Sequence, residues 1–253
     1  MRKTGKQFGI MLSEFGNPNI VRIFQRAGND FVIVDDEHGY FDYAQVSALV
    51  AVANGIGLPI IIRVPGVTRE YITKVLDMGA DGILVPMVNT AEQAKEIVRY
   101  AKYTPVGARG ISTTRAHTNY GVSDLRAYLS AANQRVNVCI QIETREAVDH
   151  VGEIAAVEGI DSLFIGPNDL AGDCGLPGEV TSDEVLSAVA KVAEAAGRFG
   201  KPAGIITGNR RLIESCMKHG FTYYSVGSEL DLLVKGAQSK QAELRKMADQ
   251  ADQ

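Results

Sequence analysis

Eight short apolar runs recur along the chain, each followed by a longer amphipathic segment. The runs are FGIML (8–12), FVIVD (31–35), PIIIRV (59–64), GILVPMV (82–88), NVCIQIE (137–143), SLFIGP (162–167), AGIIT (203–207) and YYSVG (223–227). Strands that are apolar at nearly every position need cover on both faces, which favours a parallel sheet. Eight βα units in 253 residues match a (β/α)8 TIM barrel in number and length. We therefore predict one α/β domain of this type over residues 1–253.

Two segments exceed this minimal repeat. Residues 107–135 follow the fourth predicted helix and carry several polar side chains, among them Arg109, Arg115, His117 and Tyr120. We interpret this insertion as an active-site loop followed by a short helix, since long ordered loops are often functional. The tail from residue 229 has the pattern of a helix with a charged end. We expect this C-terminal helix to serve in contacts between subunits.

Charge and cysteine content restrict the classes of partner. The net charge is −4 and no block of Lys or Arg occurs, so neither nucleic acid nor an anionic membrane is expected as a partner. The three cysteines lie far apart without a C-x-x-C spacing, which argues against a disulfide framework or a thiolate zinc site. The basic start MRKTGK precedes an apolar run too short for a signal peptide. We expect a cytoplasmic protein.

Polar residues follow several of the predicted strands. In a TIM barrel, catalytic groups lie at the carboxyl ends of the strands. The second strand ends in Asp35-Asp36-Glu37-His38, and the third ends in Arg63. The fifth carries Gln141 and Glu143, and the sixth is followed by Asn168 and Asp169. Carboxylates this close together need either open water or a cation.

Glu143 and Asp169 end neighbouring predicted strands, so their carboxylates can point at a common position. A divalent ion between two carboxylates turns their mutual repulsion into attraction. Ligation by oxygen alone, with water and substrate in the other positions, suits Mg²⁺ or Mn²⁺. The alternative is that both acids form ion pairs with Arg109 or Arg115, and the spacing does not decide between the two.

Arg63 and His38 have more than one possible role. A guanidinium at the end of a buried strand suits a substrate carboxylate or an enolate oxygen, although an ion pair with an acid of residues 35–37 is compatible with that role. His38 could be a general base, a metal ligand or a polar loop residue, and Asp35 could fix its tautomer. No predicted strand ends in Lys, so carbanion chemistry here would need a metal rather than a Schiff base.

Seven motifs occur in an order that resembles a known family. They are VDDEHG, IIIRVPG, GADGILVPMVNTAEQA, PVGARGIS, QIETREAV, EGIDSLFIGPNDLAGDCG and GKPAGII. Over nearly its whole length the sequence resembles the HpcH/HpaI family of metal-dependent pyruvate aldolases, most closely the 4-hydroxy-2-oxoheptanedioate aldolase branch. The resemblance implies a homo-oligomer, a trimer or hexamer, that cleaves 4-hydroxy-2-oxo acids to pyruvate and an aldehyde through an enolate. It also implies a divalent ion, Mg²⁺, Mn²⁺ or Co²⁺.

The resemblance also implies roles for individual residues. These are His38 as the base, Arg63 for the developing enolate, Gln141 for the substrate, Glu143 and Asp169 for the metal, and Asn168 with Asp169 for main-chain contacts to the pyruvate carboxylate. Asp77 stands where the family has an acid that raises the basicity of the histidine. Because Asp77 ends a predicted helix, we expect it to act from a neighbouring subunit. Asp36 departs from the Gly that is common in relatives, and Asn168 from the usual Ala or Ser.

Three other functions are compatible with parts of the pattern. A lyase of the citrate-lyase β type would act on acyl-CoA, but the basic cluster that CoA phosphates need is absent from the sequence. A phosphate-binding barrel would use backbone amides after the seventh and eighth strands, where Glu229 would oppose an anion. A non-catalytic barrel that serves as a binding protein would be favoured by loss of Glu143 or Asp169, and both are present.

Overall fold

Eight parallel strands close into a barrel in chain order, which confirms the predicted TIM-barrel architecture. The structure, a computed structural model, describes residues 5–251, so the start of the basic segment MRKTGK and the last two residues of the predicted domain lie outside it. The strands are β1 (Gln7–Leu12), β2 (Phe31–Asp35), β3 (Ile60–Arg63), β4 (Gly82–Val85), β5 (Asn137–Ile142), β6 (Ser162–Ile165), β7 (Ala203–Ile206) and β8 (Tyr223–Ser228).

The strands are buried on both faces, as their continuous apolar sequences predict. Alternate residues fill the barrel interior, among them Met11, Ile33 and Ile61, which are paired in register across β1, β2 and β3. The residues between them point outward into a larger core beneath the helices. Both layers exclude water, so polar groups are left to the two ends of the barrel.

Helices follow the strands and, except for the last of them, cover the outside of the barrel. They are α1 (Ile20–Arg26), α2 (Tyr43–Ile56), α3 (Arg69–Asp77), α4 (Ala91–Ala101), α5 (Leu125–Arg135), α6 (Arg145–Asp149), α7 (Val151–Ala156), α8 (Pro167–Asp173), α9 (Asp183–Arg198), α10 (Arg210–Lys218) and α11 (Glu229–Ala251), with a short 3₁₀ helix at Ala116–Thr118. Two of the helices begin at residues whose side chains are typical helix caps. Thr90 caps α4 in a capping box with Gln93, and Ser182 caps α9.

The insertion at residues 107–135 lies at the end of the barrel where the strands begin. It follows α4 and precedes β5, and its His117 donates a hydrogen bond from Nδ1 to the carbonyl oxygen of Asp77 at the end of α3 (3.1 Å). Helices in this fold run back from the carboxyl ends of the strands, so the last residues of α3 and α4 mark the N-terminal end of the barrel. The expectation that this insertion borders the active site is therefore not met within one chain.

The C-terminal helix α11 leaves the barrel instead of packing along it. Of its 23 residues, Glu229 alone is buried. Its large apolar side chains are exposed, namely Leu232, Leu233, Val234, Leu244 and Met247. Among residues 5–251, α11 does not have the length and apolarity together that crossing a membrane requires, and neither does any other helix.

Candidate active site

The carboxyl ends of β2, β3 and β5 bring five of the polar side chains together at one end of the barrel, here called the mouth. These side chains are Asp35, Glu37, Arg63, Gln141 and Glu143. All but Glu37 are buried although they are polar, and Glu37 is partly exposed. Buried charges and amides of this kind require partners of complementary charge or hydrogen-bonding type. The contacts among these residues therefore define what the mouth can bind.

Arg63 is held by two carboxylates from the loop after β2. Its Nε donates to Asp35 Oδ1 (2.8 Å) and its Nη2 donates to Asp35 Oδ2 (2.7 Å). Its Nη1 also lies 3.1 Å from Glu37 Oε2. A bidentate carboxylate fixes the plane of a guanidinium as well as its position. The ion pair considered from the sequence is therefore present, and it orients Arg63 rather than removing it from the mouth.

Glu143 is a buried carboxylate with a hydrogen bond to each oxygen. Its Oε1 accepts from the backbone N–H of Met87 (2.6 Å), and its Oε2 accepts from Nε2 of Gln141. Close packing around Glu143 explains why a glycine follows β6, because a Cβ on Gly166 would stand 2.2 Å from Glu143 Oε2. Two hydrogen bonds and this packing hold the carboxylate in one orientation.

Negative charge accumulates around Glu143. The pKa of Glu143 is raised to about 7, mainly by burial and also by the nearby charges of Asp169 and Glu37, against the lowering effect of the hydrogen bonds from the Met87 amide and Gln141. Burial likewise raises the pKa of Glu37, to which Asp35 and Asp169 also contribute. Asp169 is exposed in the first turn of α8. The negative charges of these three carboxylates repel one another, so the position between them is suited to a cation.

The residues at the mouth fit a divalent ion with an incomplete protein shell. The side-chain oxygen of Gln141 is buried and has no hydrogen-bond partner among the described residues. In residues 5–251 no group of three or more His, Cys, Asp and Glu side chains is arranged to hold a metal by itself. Glu143 and Asp169 would thus supply two hard oxygen ligands and leave positions open, which suits Mg²⁺ or Mn²⁺ better than a structural zinc.

Comparisons with known proteins show the family to which the chain belongs. The model of the HpcH/HpaI aldolase/citrate lyase family matches residues 10–236. This chain belongs to the HpcH/HpaI family. A 4-hydroxy-2-oxovalerate aldolase from Novosphingobium aromaticivorans is 38% identical over 238 residues, which cover 94% of this chain and 89% of the relative. A hydroxypyruvate/pyruvate aldolase from Roseovarius nubinhibens is 32% identical over 231 residues, which cover 91% of this chain and 90% of the relative.

Solved structures of the HpcH/HpaI family have the same fold. The crystal structure of an HpcH/HpaI aldolase from Desulfitobacterium hafniense superposes with a TM-score of 0.88 at 32% identity and covers 94% of this chain and 92% of that one. The predicted family and enzyme class are thereby confirmed, and the protein is an aldolase, a carbon–carbon lyase.

His38 lies at the mouth, but its imidazole is not held by Asp35. Its side chain is exposed, and its backbone N–H donates to Asp35 Oδ1 (3.3 Å). The Asp35 carboxylate is directed at Arg63, so within this chain it fixes the main chain of the histidine loop and not the imidazole tautomer. The role of His38 as a base remains a prediction that its place in this HpcH/HpaI site permits.

Asp77 lies at the opposite end of the barrel from His38. Its Oδ1 is paired with Arg109 Nη2 (2.6 Å) beside the buried His117. The pKa of His117 is lowered, mainly because the imidazole is buried. Within one chain the structure does not bring Asp77 and His38 together. Because Arg109 pairs with Asp77, it also does not form the ion pair with Glu143 or Asp169 considered from the sequence.

Two contributors to the site were not predicted from the sequence. The backbone N–H of Met87 holds Glu143 from a left-handed conformation (φ 55°), which no sequence pattern marks. Glu229 is buried and accepts hydrogen bonds from the loop after β1, in a position where the sequence suggested only an acid that would oppose anions.

Proposed function

We propose that this HpcH/HpaI aldolase reversibly cleaves 4-hydroxy-2-oxo acids to pyruvate and an aldehyde. The observation that carries the proposal is an Arg63 guanidinium fixed by Asp35 at the same mouth as the buried carboxylate of Glu143. Relatives with the names 4-hydroxy-2-oxovalerate aldolase and hydroxypyruvate/pyruvate aldolase support a pyruvate-type enolate. A phosphate or CoA ligand has no such support at the mouth.

Arg63 would stabilise the charge that develops during cleavage. Breaking the C3–C4 bond leaves negative charge on the keto oxygen of the pyruvate half. Asp35 occupies the Nε and Nη2 edge of the guanidinium, and the side chain retains further N–H donors on Nη1 and Nη2. Donors fixed before the reaction stabilise the enolate more than the ground state, which is what lowers the barrier.

Glu143 and Asp169 would hold the divalent ion, with Mg²⁺, Mn²⁺ and Co²⁺ as the candidates. When bound, such an ion supplies Lewis-acid stabilisation of negative charge on substrate oxygens. Glu143 is oriented for this role by Met87 N–H and by Gln141. We propose that Gln141 and the main chain at Asn168 and Asp169 also contact the substrate.

His38 would act as the general base. In cleavage it takes the proton from the 4-hydroxyl, and in the aldol direction it returns the proton to the aldehyde oxygen. A base of this kind contributes on the order of 10²–10⁴ in rate. Exposure of His38 at the mouth leaves the imidazole accessible to the aldehyde half of a substrate. Asp77 could raise its basicity only from a neighbouring subunit, because Arg109 holds Asp77 at the far end of the same barrel.

We also propose that the protein is a homo-oligomer whose contacts include α11. This helix exposes Leu232, Leu233 and Val234 in its first turns. A row of exposed large apolar residues on a helix that does not cover its own barrel is costly in water. A second copy of the chain is the partner that α11 would bind.

The test of the proposed function is pyruvate release from a panel of 4-hydroxy-2-oxo acids, before and after chelation with EDTA. We expect chelation to abolish release, and Mg²⁺, Mn²⁺ or Co²⁺ to restore it. Borohydride added with pyruvate should leave the enzyme active, because no Schiff base forms. Full activity after rigorous chelation would contradict a metal-dependent aldolase, and inactivation by borohydride would show a lysine mechanism instead.

A further inference from the structure

The buried carboxylate of Glu229 is bound by the loop after β1. Its Oε1 accepts from the backbone N–H groups of Ser13 (2.9 Å), Glu14 (2.7 Å) and Phe15 (3.3 Å), and its Oε2 also accepts from Ser13 (3.0 Å). Glu229 is only 4% exposed, and it is the first residue of α11. Successive N–H groups that converge on one position form an anion-binding concavity. In this protein the anion is part of the chain.

The same loop touches the loop that carries His38. A Cβ on Gly39 would stand 2.8 Å from the carbonyl oxygen of Ser13, so the two main chains are in direct contact. The Glu14 carboxylate also raises the pKa of the neighbouring Tyr40 hydroxyl through its charge and a hydrogen bond. Glu229 thus fixes the main chain of the loop from Ser13 to Phe15. Ser13 and Glu14 in turn contact Gly39 and Tyr40, the two residues that follow His38.

We infer that Glu229 is a positioning residue for His38, which it holds at the mouth through Ser13 and Glu14. The inference rests on the proposed function, in which His38 is the base. Asp35 fixes the loop from one side by accepting the His38 N–H, and the loop after β1 supports it from the other side at Gly39. Without the carboxylate, three amides lose their shared acceptor and the support at Gly39 is no longer fixed.

Steady-state kinetics of three variants tests the inference. Glu229→Ala removes the acceptor, and we expect kcat to fall about tenfold or more, because a displaced base transfers protons poorly, while KM changes little. Glu229→Gln keeps an oxygen that can accept the amide hydrogen bonds, so most of the activity should be retained. Glu243→Ala changes an exposed acid of the same helix and should leave kcat unchanged. Unchanged kcat in Glu229→Ala would overturn the inference.

A double-mutant cycle separates action through His38 from a general structural effect. If Glu229 acts through the base, Glu229→Ala should cost nothing further in a His38→Ala background, since coupled residues are not additive. Equal fold-losses in both backgrounds would overturn the inference and leave the aldolase proposal standing. If His38→Ala alone lowers kcat less than about tenfold, the base in the proposed mechanism is wrong, and the inference about Glu229 falls with it.

Hydrogen exchange gives a readout that does not depend on activity. In the folded Glu229→Ala protein, we expect faster amide exchange at residues 13–15 and 38–40 than in the wild type, with exchange in β5 and β6 unchanged. Equal exchange rates at residues 38–40 in the two proteins would show that Glu229 does not hold the histidine loop.

Discussion

At the scale of single residues, the mouth depends on carboxylates that serve different partners. Asp35 and Glu37 hold Arg63, whereas Glu143 accepts backbone and amide hydrogen bonds beside Asp169. The two sets share one end of the barrel, so an arginine and a cation can both face the same substrate oxygen. Because the acids that pair with Arg63 differ from those beside Glu143, the Arg63 guanidinium stays at the mouth although several acids surround it.

The stability of the folded protein depends on pH through the carboxyl group of Asp36. Burial, with a smaller contribution from Asp35, raises the pKa of Asp36 from its ordinary 3.8 to about 6, against a hydrogen bond from the Phe41 backbone that lowers it. The folded state therefore binds more protons than the unfolded state between these two values, and stability falls as the pH rises through that window.

Asp36→Asn should remove this penalty, because Asn can keep the hydrogen bond from Phe41 without a charge. We expect the variant to be about 1 kcal/mol more stable than the wild type at a pH of about 8, with the difference lost below a pH of about 4. Urea unfolding across the pH range measures it. A difference in stability that does not depend on pH would show that the charge of Asp36 is not responsible.

At the scale of elements, the insertion is held by buried polar contacts at the N-terminal end of the barrel. Lys102, at the end of α4, is buried and donates from Nζ to Asp161 Oδ2 (2.8 Å) and to the carbonyl oxygen of Asn133 in α5 (2.9 Å). It also donates to the carbonyl oxygen of Val136. One ammonium group thus connects α4, α5 and the start of β6.

Replacing the Lys102 ammonium group should destabilise the folded protein. Lys102→Met removes the cation and leaves buried acceptors without it, and we expect the free energy of unfolding to fall by about 3–5 kcal/mol. The matched control is Lys191→Met, whose exposed partner Asp149 lies 3.4 Å away and whose loss should cost less than about 1 kcal/mol. Urea denaturation of both variants makes the comparison. Equal losses would show that burial of Lys102 adds nothing.

The strands and several caps were predictable because they follow from local patterns. Continuous apolar runs marked all eight strands, and Thr90 and Ser182 marked helix starts by their side chains. The position of the insertion between a helix and a strand places it, within one chain, at the N-terminal end of the barrel, so its role beside an active site stays a prediction. Contacts such as Met87 N–H with Glu143 could not be predicted, since they depend on a backbone conformation and on two distant segments meeting.

At the scale of the whole molecule, one helix exposes its apolar side chains to water instead of packing them on the barrel. The other helices bury apolar faces against the strands, but α11 buries only Glu229. Exposed apolar area on such a helix favours association, since its burial contributes about 25 cal/mol per Å². The sequence indicated the helix but could not show that it leaves its own barrel.

Leu233→Glu tests whether α11 forms subunit contacts. Leu233 is 59% exposed in the single chain, so a charge there is tolerated by the isolated chain and disrupts only an apolar interface. We expect light scattering to show a smaller assembly for this variant and no change for the exposed control Gln241→Glu. An unchanged mass for Leu233→Glu would contradict the proposed role of α11.

Glu229 joins two functions of the molecule in one side chain. It begins the helix proposed to bind another copy, and its carboxylate is held by the loop that supports the histidine. Under these two proposals, a shift of α11 on binding a partner would move Glu229 and with it Ser13 and Glu14, so catalysis and association would be thermodynamically linked. Specific activity per chain should therefore decline on dilution to concentrations at which the assembly separates.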